Sequence, residues 1–285
     1  MDIPVGSKHF IAGSPYSVID FSIEATGNDL LKIFISPNQL DFCIVERLTH
    51  RLLYLQPYRL PGGKTPGQEV KVLESIFSEN EVLKHGFGET AVGVLSTDFT
   101  LFPTALSTPL LSAEWKSLFT GLAETSIILN DEIPKAGSVN VFAFPGEVKN
   151  VLDQHLGKYA LQHALTPQIS YLCEQNSGRC VYCGVQSGFI HVIYLEDKQL
   201  HFANVFAYHS SEDFIYFLLA IYNQFQLDRE KVKLVLTGEI VKDSVLFQLL
   251  YKYIRNIEFG MPPAHLKWSE YYPFARHFYF SLFCL

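Results

Sequence analysis

Positive charge, long apolar runs and paired cysteines are what this sequence has little of. No basic cluster interrupts its 285 residues, and the formal net charge is −7. That balance argues against nucleic acid or an anionic membrane surface as a partner. The opening residues, MDIPVGSKHF, carry neither a basic n-region nor an apolar h-region, so no secretory signal is expected. No stretch reaches the roughly 18 apolar residues of a membrane-spanning helix. The most apolar segment, Phe214 to Phe225, is short and includes Asn223 and Gln224. Five cysteines, Cys43, Cys173, Cys180, Cys183 and Cys284, form an odd, scattered set. Without a signal, that usage suits reduced thiols in the cytoplasm. No Gly-x-Ser-x-Gly elbow occurs, so a hydrolase triad has no anchor.

What is present is apolar bulk. Hydrophobic residues make up 48% and charged residues 18%, with 23 Phe and 15 Tyr against two Trp and two Met. This composition supports a large, β-rich core and excludes wholesale disorder. Two regions read as three-strand meanders. One, LLKIFISPNQLDFCIVERLTHRLLYLQPYRL, covers 30–60, with turns at Ser36-Pro37-Asn38 and Thr49-His50. The other, RCVYCGVQSGFIHVIYLEDKQLHFANVFAY, covers 179–208 and turns at Ser187-Gly188 and Glu196-Asp197-Lys198. Pairing Leu40 with Gly188 superposes them with an offset of 148.

A helix follows each meander. The first, GQEVKVLESIF, places Val70, Leu73, Ile76 and Phe77 at helical spacing. The second, SSEDFIYFLLAIYNQF, has Ser211 as expected N-cap, with Glu212 and Asp213 at the positive end of the helix dipole. A third correspondence sets NVFAFPGEVKNVLDQHLGKY beside KLVLTGEIVKDSVLFQLLYKY, with closing strands ALQHAL and RNIEF after them. Gly146 then pairs with Gly238 and Tyr159 with Tyr253. On this reading the chain is duplicated. Residues 1–165 form the first half, about 86–137 of it an inserted subdomain with its own strand TAVGVLS and helix SAEWKSLFTGL, and 166–285 form the second.

Three meandering strands, helix, strand, helix, strand, repeated, resembles the plan of the actin-like ATPases: sugar kinases, heat-shock chaperone ATPases and actin. An insertion in the first half is similar to the cell-division and pilus-assembly members. The phrases FTLFPTAL, NVFAFPGE, SSEDFIYFLLAIYNQF and LVLTGEI resemble an uncharacterised bacterial family with an actin-like fold. The fold implied is α/β, with duplicated actin-like, ribonuclease H-like halves, each a mixed five-stranded sheet with helices. In members that hydrolyse ATP, the resemblance implies Asp-x-Gly in the first hairpin of each half. The Asp organises metal and water, and the Gly lets backbone N–H groups approach phosphate. Here Ser36 and Asn38 stand at those places in the first half, and Gly184 and Gln186 in the second. Neither Ser nor Gly replaces a carboxylate in a magnesium–water network. The adenosine Gly-Gly pair becomes Gly238-Glu239, and Pro37 removes one backbone donor from the first hairpin.

The vestigial cleft is therefore expected at Ser36, Asn38, Gly184, Ser187, Gly188, Gly238 and Glu239, with no catalytic residue, no metal and no cofactor. A non-catalytic scaffold with a protein partner is the expected function. The competing reading is an ATPase or kinase using ATP and Mg, with Glu239, Asp41 or Asp213 replacing the lost carboxylates. A homodimer is left open.

Other motifs read as structural. LPGGKTPG carries Gly-Lys-Thr, but a P-loop needs Gly where Tyr58 stands. Cys180 and Cys183 have C-x-x-C spacing, yet positions three apart on a strand face opposite sides. His191 and His201 are expected as cross-strand neighbours in a structural pair. The end, YYPFARHFYFSLFCL, reads as a terminal helix docked on the core, with an exposed partner surface as the alternative.

Overall fold

Both meanders are present, and each begins a sheet. A computed structural model describes residues 11–19, 21–60, 66–106, 115–269 and 272–285. Among these, the first half of the chain supplies β1 (Ile11–Ala12), β2 (Tyr16–Ser17), β3 (Leu30–Ser36), β4 (Gln39–Val45), β5 (Leu52–Arg59), β6 (Glu89–Val94), β7 (Phe99–Pro103), β8 (Ser126–Ile133), β9 (Ser138–Pro145) and β10 (Ala160–His163). The second supplies β11 (Arg179–Gln186), β12 (Phe189–Glu196), β13 (Gln199–Ala207), β14 (Lys233–Gly238) and β15 (Ile257–Phe259). The helices among the described residues are α1 (Pro66–Glu79), α2 (Gly146–His155), α3 (Leu165–Gln175), α4 (Ser211–Gln224), α5 (Val245–Tyr251) and α6 (Phe280–Cys284).

The two large sheets share one strand order. The first runs β5-β4-β3-β6-β10 and the second β13-β12-β11-β14-β15. In each, an antiparallel meander is extended by two parallel strands. Even the irregularities agree. The register slips between Ile44 and Val45 in β4 and between Tyr194 and Leu195 in β12. Among the described residues, the first sheet alone carries extra strands, β1 and β2, antiparallel along the outer edge of β5.

Period-2 alternation gives every central strand two buried faces. Leu31, Ile33 and Ile35 of β3 pack with Leu73, Ile76 and Phe77 of α1 and Val148 and Leu152 of α2. Val181, Cys183 and Val185 of β11 pack with Phe214 and Leu218 of α4 and Leu250 of α5. The opposite faces meet a third cluster between the sheets. There α3 contributes Ile169 and Leu172, and α6 contributes Phe280, Leu282 and Phe283. The aromatic C-terminus is thus a docked helix. Lys32, buried in β3, donates to the Phe283 carbonyl at 3.0 Å, where a cation meets the negative end of α6. Burial holds its ammonium below the usual lysine range.

Several expectations change. TAVGVLS forms β6, which pairs parallel with β3, so this strand belongs to the main sheet and not to the inserted unit. NVFAFPGE forms β9, at the centre of a separate three-stranded sheet ordered β7-β9-β8. The strand equivalent to β14 is therefore β6. The helices α2 and α5 and the closing strands β10 and β15 do correspond, so the extra sheet lies between β6 and α2. The expected helix at SAEWKSLFTGL begins outside the described residues, as do residues 61–65 of the glycine-rich connection. Helix α4 is capped one residue earlier than expected: Ser210 Oγ accepts from Asp213 N, and Asp213 accepts from Ser210 N, a capping box. His191 pairs with Val205 across the ladder, so His201 is not its neighbour.

Candidate functional site

The hairpins fix their own equivalence. Ser36 pairs with Gln39 beside the first turn, and Gln186 with Phe189 beside the second. The offset is 150, two more than the turn alignment suggests. Asn38 then corresponds to Gly188, Ser36 to Gln186, and Phe34 to Gly184. Ser36 and Gly184, the two places that the resemblance gives to Asp, are therefore not equivalent positions in the two hairpins. The residues facing Phe34 and Gly184 across the hairpins are Asp41 and His191.

Each half resolves that pairing differently. Phe34 is fully buried against the inter-sheet cluster. Gly184 leaves room for the His191 ring: a Cβ there would lie 1.9 Å from His191 Cε1. His191 is buried, and its Nε2 meets Gln168 Oε1 of α3 at 3.0 Å. Because that amide oxygen only accepts, Nε2 carries the hydrogen. Burial pushes His191 down to about 3, so the ring is neutral. Its Nδ1 has no hydrogen-bond partner among the described residues.

The hairpin tips touch. Asn38 Nδ2 donates to the Ser187 carbonyl at 2.9 Å. Gly188 lies at φ +78°, and a Cβ on it would come within 3.2 Å of Asn38 Nδ2. Here glycine serves turn geometry and close approach. Behind the tips, Arg59 at the end of β5 reaches two carboxylates. Its Nη1 is 3.4 Å from Asp41 Oδ1, and its Nη2 pairs with Glu239 of the second half. Gln39 Nε2 donates to the other oxygen of Asp41. Asp41, 1% exposed, is pushed up to about 7 by burial, with Arg59 and Gln39 opposing. Burial also raises Glu239, and the Arg59 charge opposes it.

Gly238 needs no nucleotide to explain it. It sits at φ +76°, and a Cβ would fall 2.0 Å from the Val185 carbonyl oxygen. Glu239 N donates to that same carbonyl at 2.7 Å. The C-terminal segment covers this corner: Gly238 N donates to the His277 carbonyl at 2.8 Å, and His277 Nε2 donates to the Ile240 carbonyl at 2.7 Å. A cavity of about 440 Å³ opens beside it, lined by Pro57, Arg59, Glu239, Val241, Phe274 and Tyr279 among others.

The structure thus brings together Asn38, Ser187 and Gly188 at the tips, and Glu239 with Asp41 through Arg59, while Ser36 is buried within its own hairpin. Asp213 is not among them; its carboxylate caps α4 and is held low by the His209 and Ser210 amides. Sequence reasoning missed Arg59. Its only signal is a lone cation continuing the Leu55, Pro57 alternation of an otherwise uncharged strand. Among the described residues no group of three or more His, Cys, Asp or Glu is arranged to hold a metal ion. No described helix is long and apolar enough to cross a membrane.

Over residues 19–257 the chain matches the family described as a protein of unknown function, DUF3822. It belongs to that family. No curated protein sequence matches it. Several solved structures resemble it, two of them as follows. A Bacteroides thetaiotaomicron protein, described as having an actin-like ATPase fold and unknown function, is 22% identical with a TM-score of 0.74, covering 85% of this chain and 94% of that one. The PilM–PilN type IV pilus biogenesis complex contains a chain 14% identical with a TM-score of 0.57, covering 85% and 91%. The fold is that of the actin-like ATPases.

Proposed function

We propose that this protein is a non-catalytic actin-like scaffold that works through contact with another protein. The observation carrying this reading is the Asp41–Arg59–Glu239 ladder beneath touching hairpin tips. Phosphate groups need free backbone N–H donors and a cation between the hairpins. That space instead holds an internal cation already committed to two carboxylates, and Pro37 supplies no N–H. Shared strand order and a shared bulge support an origin by duplication, with halves dividing near residue 165 and the extra sheet inserted after β6. The similar PilM is found in a complex with PilN, which favours a protein partner here.

A second reading has one observation behind it: Asp41 and Glu239 do converge beside a cavity. On that reading a Mg-nucleotide displaces the ladder. Thermal unfolding with and without millimolar Mg-ATP and Mg-ADP separates the two. A ligand at 100 times its dissociation constant stabilises by about 2.7 kcal/mol, a shift of a few degrees for a chain of this size. The scaffold reading expects no shift. A magnesium-dependent rise would support the enzyme.

A further inference from the structure

The two halves differ at one edge, and the first half shows what fits there. The outer edge of β5 is covered by the chain's own β1 and β2. The equivalent edge of β13 has no strand beside it among the described residues. Residues correspond here with an offset of 148, because Gln56 faces Phe42 and Asn204 faces Val192.

Which backbone groups point outward follows from the ladder. Leu60 N donates inward to the Asn38 carbonyl and Tyr208 N inward to the Gly188 carbonyl. Alternation then turns residues 53, 55, 57 and 59, and their counterparts 201, 203, 205 and 207, towards the edge. In the first half these groups are used. Val18 N donates to the Leu53 carbonyl at 3.0 Å and Gly13 N to the Pro57 carbonyl at 2.8 Å. Gln56 Nε2 reaches the covering segment too, donating to the Gly13 carbonyl at 2.7 Å. In the second half Asn204, at the place of Gln56, folds back instead: its Oδ1 accepts from Val205 N at 2.8 Å.

We infer that the β13 edge is a docking site for one extended, uncharged segment of a partner protein, added antiparallel as β1 and β2 are added to β5. Nine residues, Gln199–Ala207, carry no Asp, Glu, Lys, Arg or Pro. Open edges usually carry such residues or a cover. Opposite lies β7, itself a sheet edge, across a groove of about 460 Å³ walled by Phe99, Leu101, Leu200 and Phe202. With Thr100, His201 and Asn204 among its lining the groove is polar but holds no Asp, Glu, Lys or Arg, which favours a segment without charge, read by main-chain hydrogen bonds. The equivalent edge of β5 is covered by one short segment, β1 and β2, so a single strand is the fitting occupant. On docking, Asn204 releases the Val205 amide to the incoming backbone. This inference deepens the scaffold reading, yet does not depend on whether the cleft takes nucleotide.

Amide hydrogen exchange on the full chain, alone and with a synthetic ten-residue peptide selected from a random phage-displayed library, tests it. The expected result is fast exchange at Ala203 and Ala207 in the free protein and at least tenfold slowing with peptide. Ala203→Pro, which removes an outward N–H at an edge where proline is tolerated, weakens peptide binding at least tenfold with a melting shift of a few degrees at most. Three results overturn it. No selected peptide slows β13 exchange. The free chain's amides can be slow at every concentration, meaning that the chain covers its own edge. Slowing that appears only at high protein concentration would assign the edge to a second copy.

Discussion

At one register the first half sets Phe34 against Asp41, and the second sets Gly184 against His191. The backbone plan is the same, down to the bulge two turns of pleat later. The side-chain solutions are opposite: a bulky ring beside a carboxylate held by Arg59, and an empty α-carbon beside an imidazole held by Gln168. The comparison teaches that the hairpins are kept as architecture. At the equivalent positions Phe34 and Gly184 each half solves the volume locally by packing.

Exchanging the two solutions breaks the comparison most severely. Gly184→Phe places a ring where the His191 imidazole lies, so no soluble folded protein is expected on expression. Phe34→Ala leaves a cavity in the inter-sheet core and is expected to cost about 3–5 kcal/mol by urea unfolding. A Gly184→Ala variant regains stability when His191→Ala is added, which a double-mutant cycle detects.

Removing the cation comes next. Arg59→Ala leaves Asp41 buried without its charge partner. Loss of one member of a fully buried pair costs about 3–5 kcal/mol. Arg59 is partly exposed, so about 2–3 kcal/mol is expected at pH 8, after allowing for solvent screening. The loss shrinks near pH 5, where Asp41 takes up a proton.

The pH dependence sharpens the contrast further. Asp41 is raised from 3.8 to about 7, so the folded state holds its proton more tightly. Its contribution is fully present below about pH 4 and is lost as pH rises through about 7. His191 is lowered to about 3; its contribution is present above the ordinary histidine value near 6.5 and is lost as pH falls towards 3. Buried His163, lowered to about 4, acts in the same sense. Asp41→Asn therefore leaves stability rising more steeply from pH 4 to 6.5, and His191→Gln makes it flatter or falling. Urea midpoints across that range give the slopes, and equal slopes in both variants would refute the assignment. The smallest effect is at the edge: Ala203→Pro is expected to change stability by about 1 kcal/mol or less, against several for Leu55→Pro at the covered edge.

Most of the plan could be read from the sequence because it rests on local alternation and turn chemistry. The meanders, α4, the closing strands ALQHAL and RNIEF and the docked C-terminal helix all follow from period and composition. The hairpin register did not, for a definite reason. A slip of two residues keeps every side chain on the same face, so the pattern alone cannot separate an offset of 148 from one of 150. Strand β9 mimics β14 in composition while pairing elsewhere, and pairing is non-local. The cleft's central residue was the hardest to see. Arg59 meets one carboxylate 18 residues away and another 180 away, and nothing near it in the chain announces either.

A cleft closed by its own ion ladder is expected to take no nucleotide. Calorimetric titration of Mg-ATP into the full chain tests it most directly. No saturable heat is expected at millimolar nucleotide, for the parent and for Asp41→Asn alike. A saturable, magnesium-dependent isotherm in the parent that Asp41→Asn abolishes would contradict it.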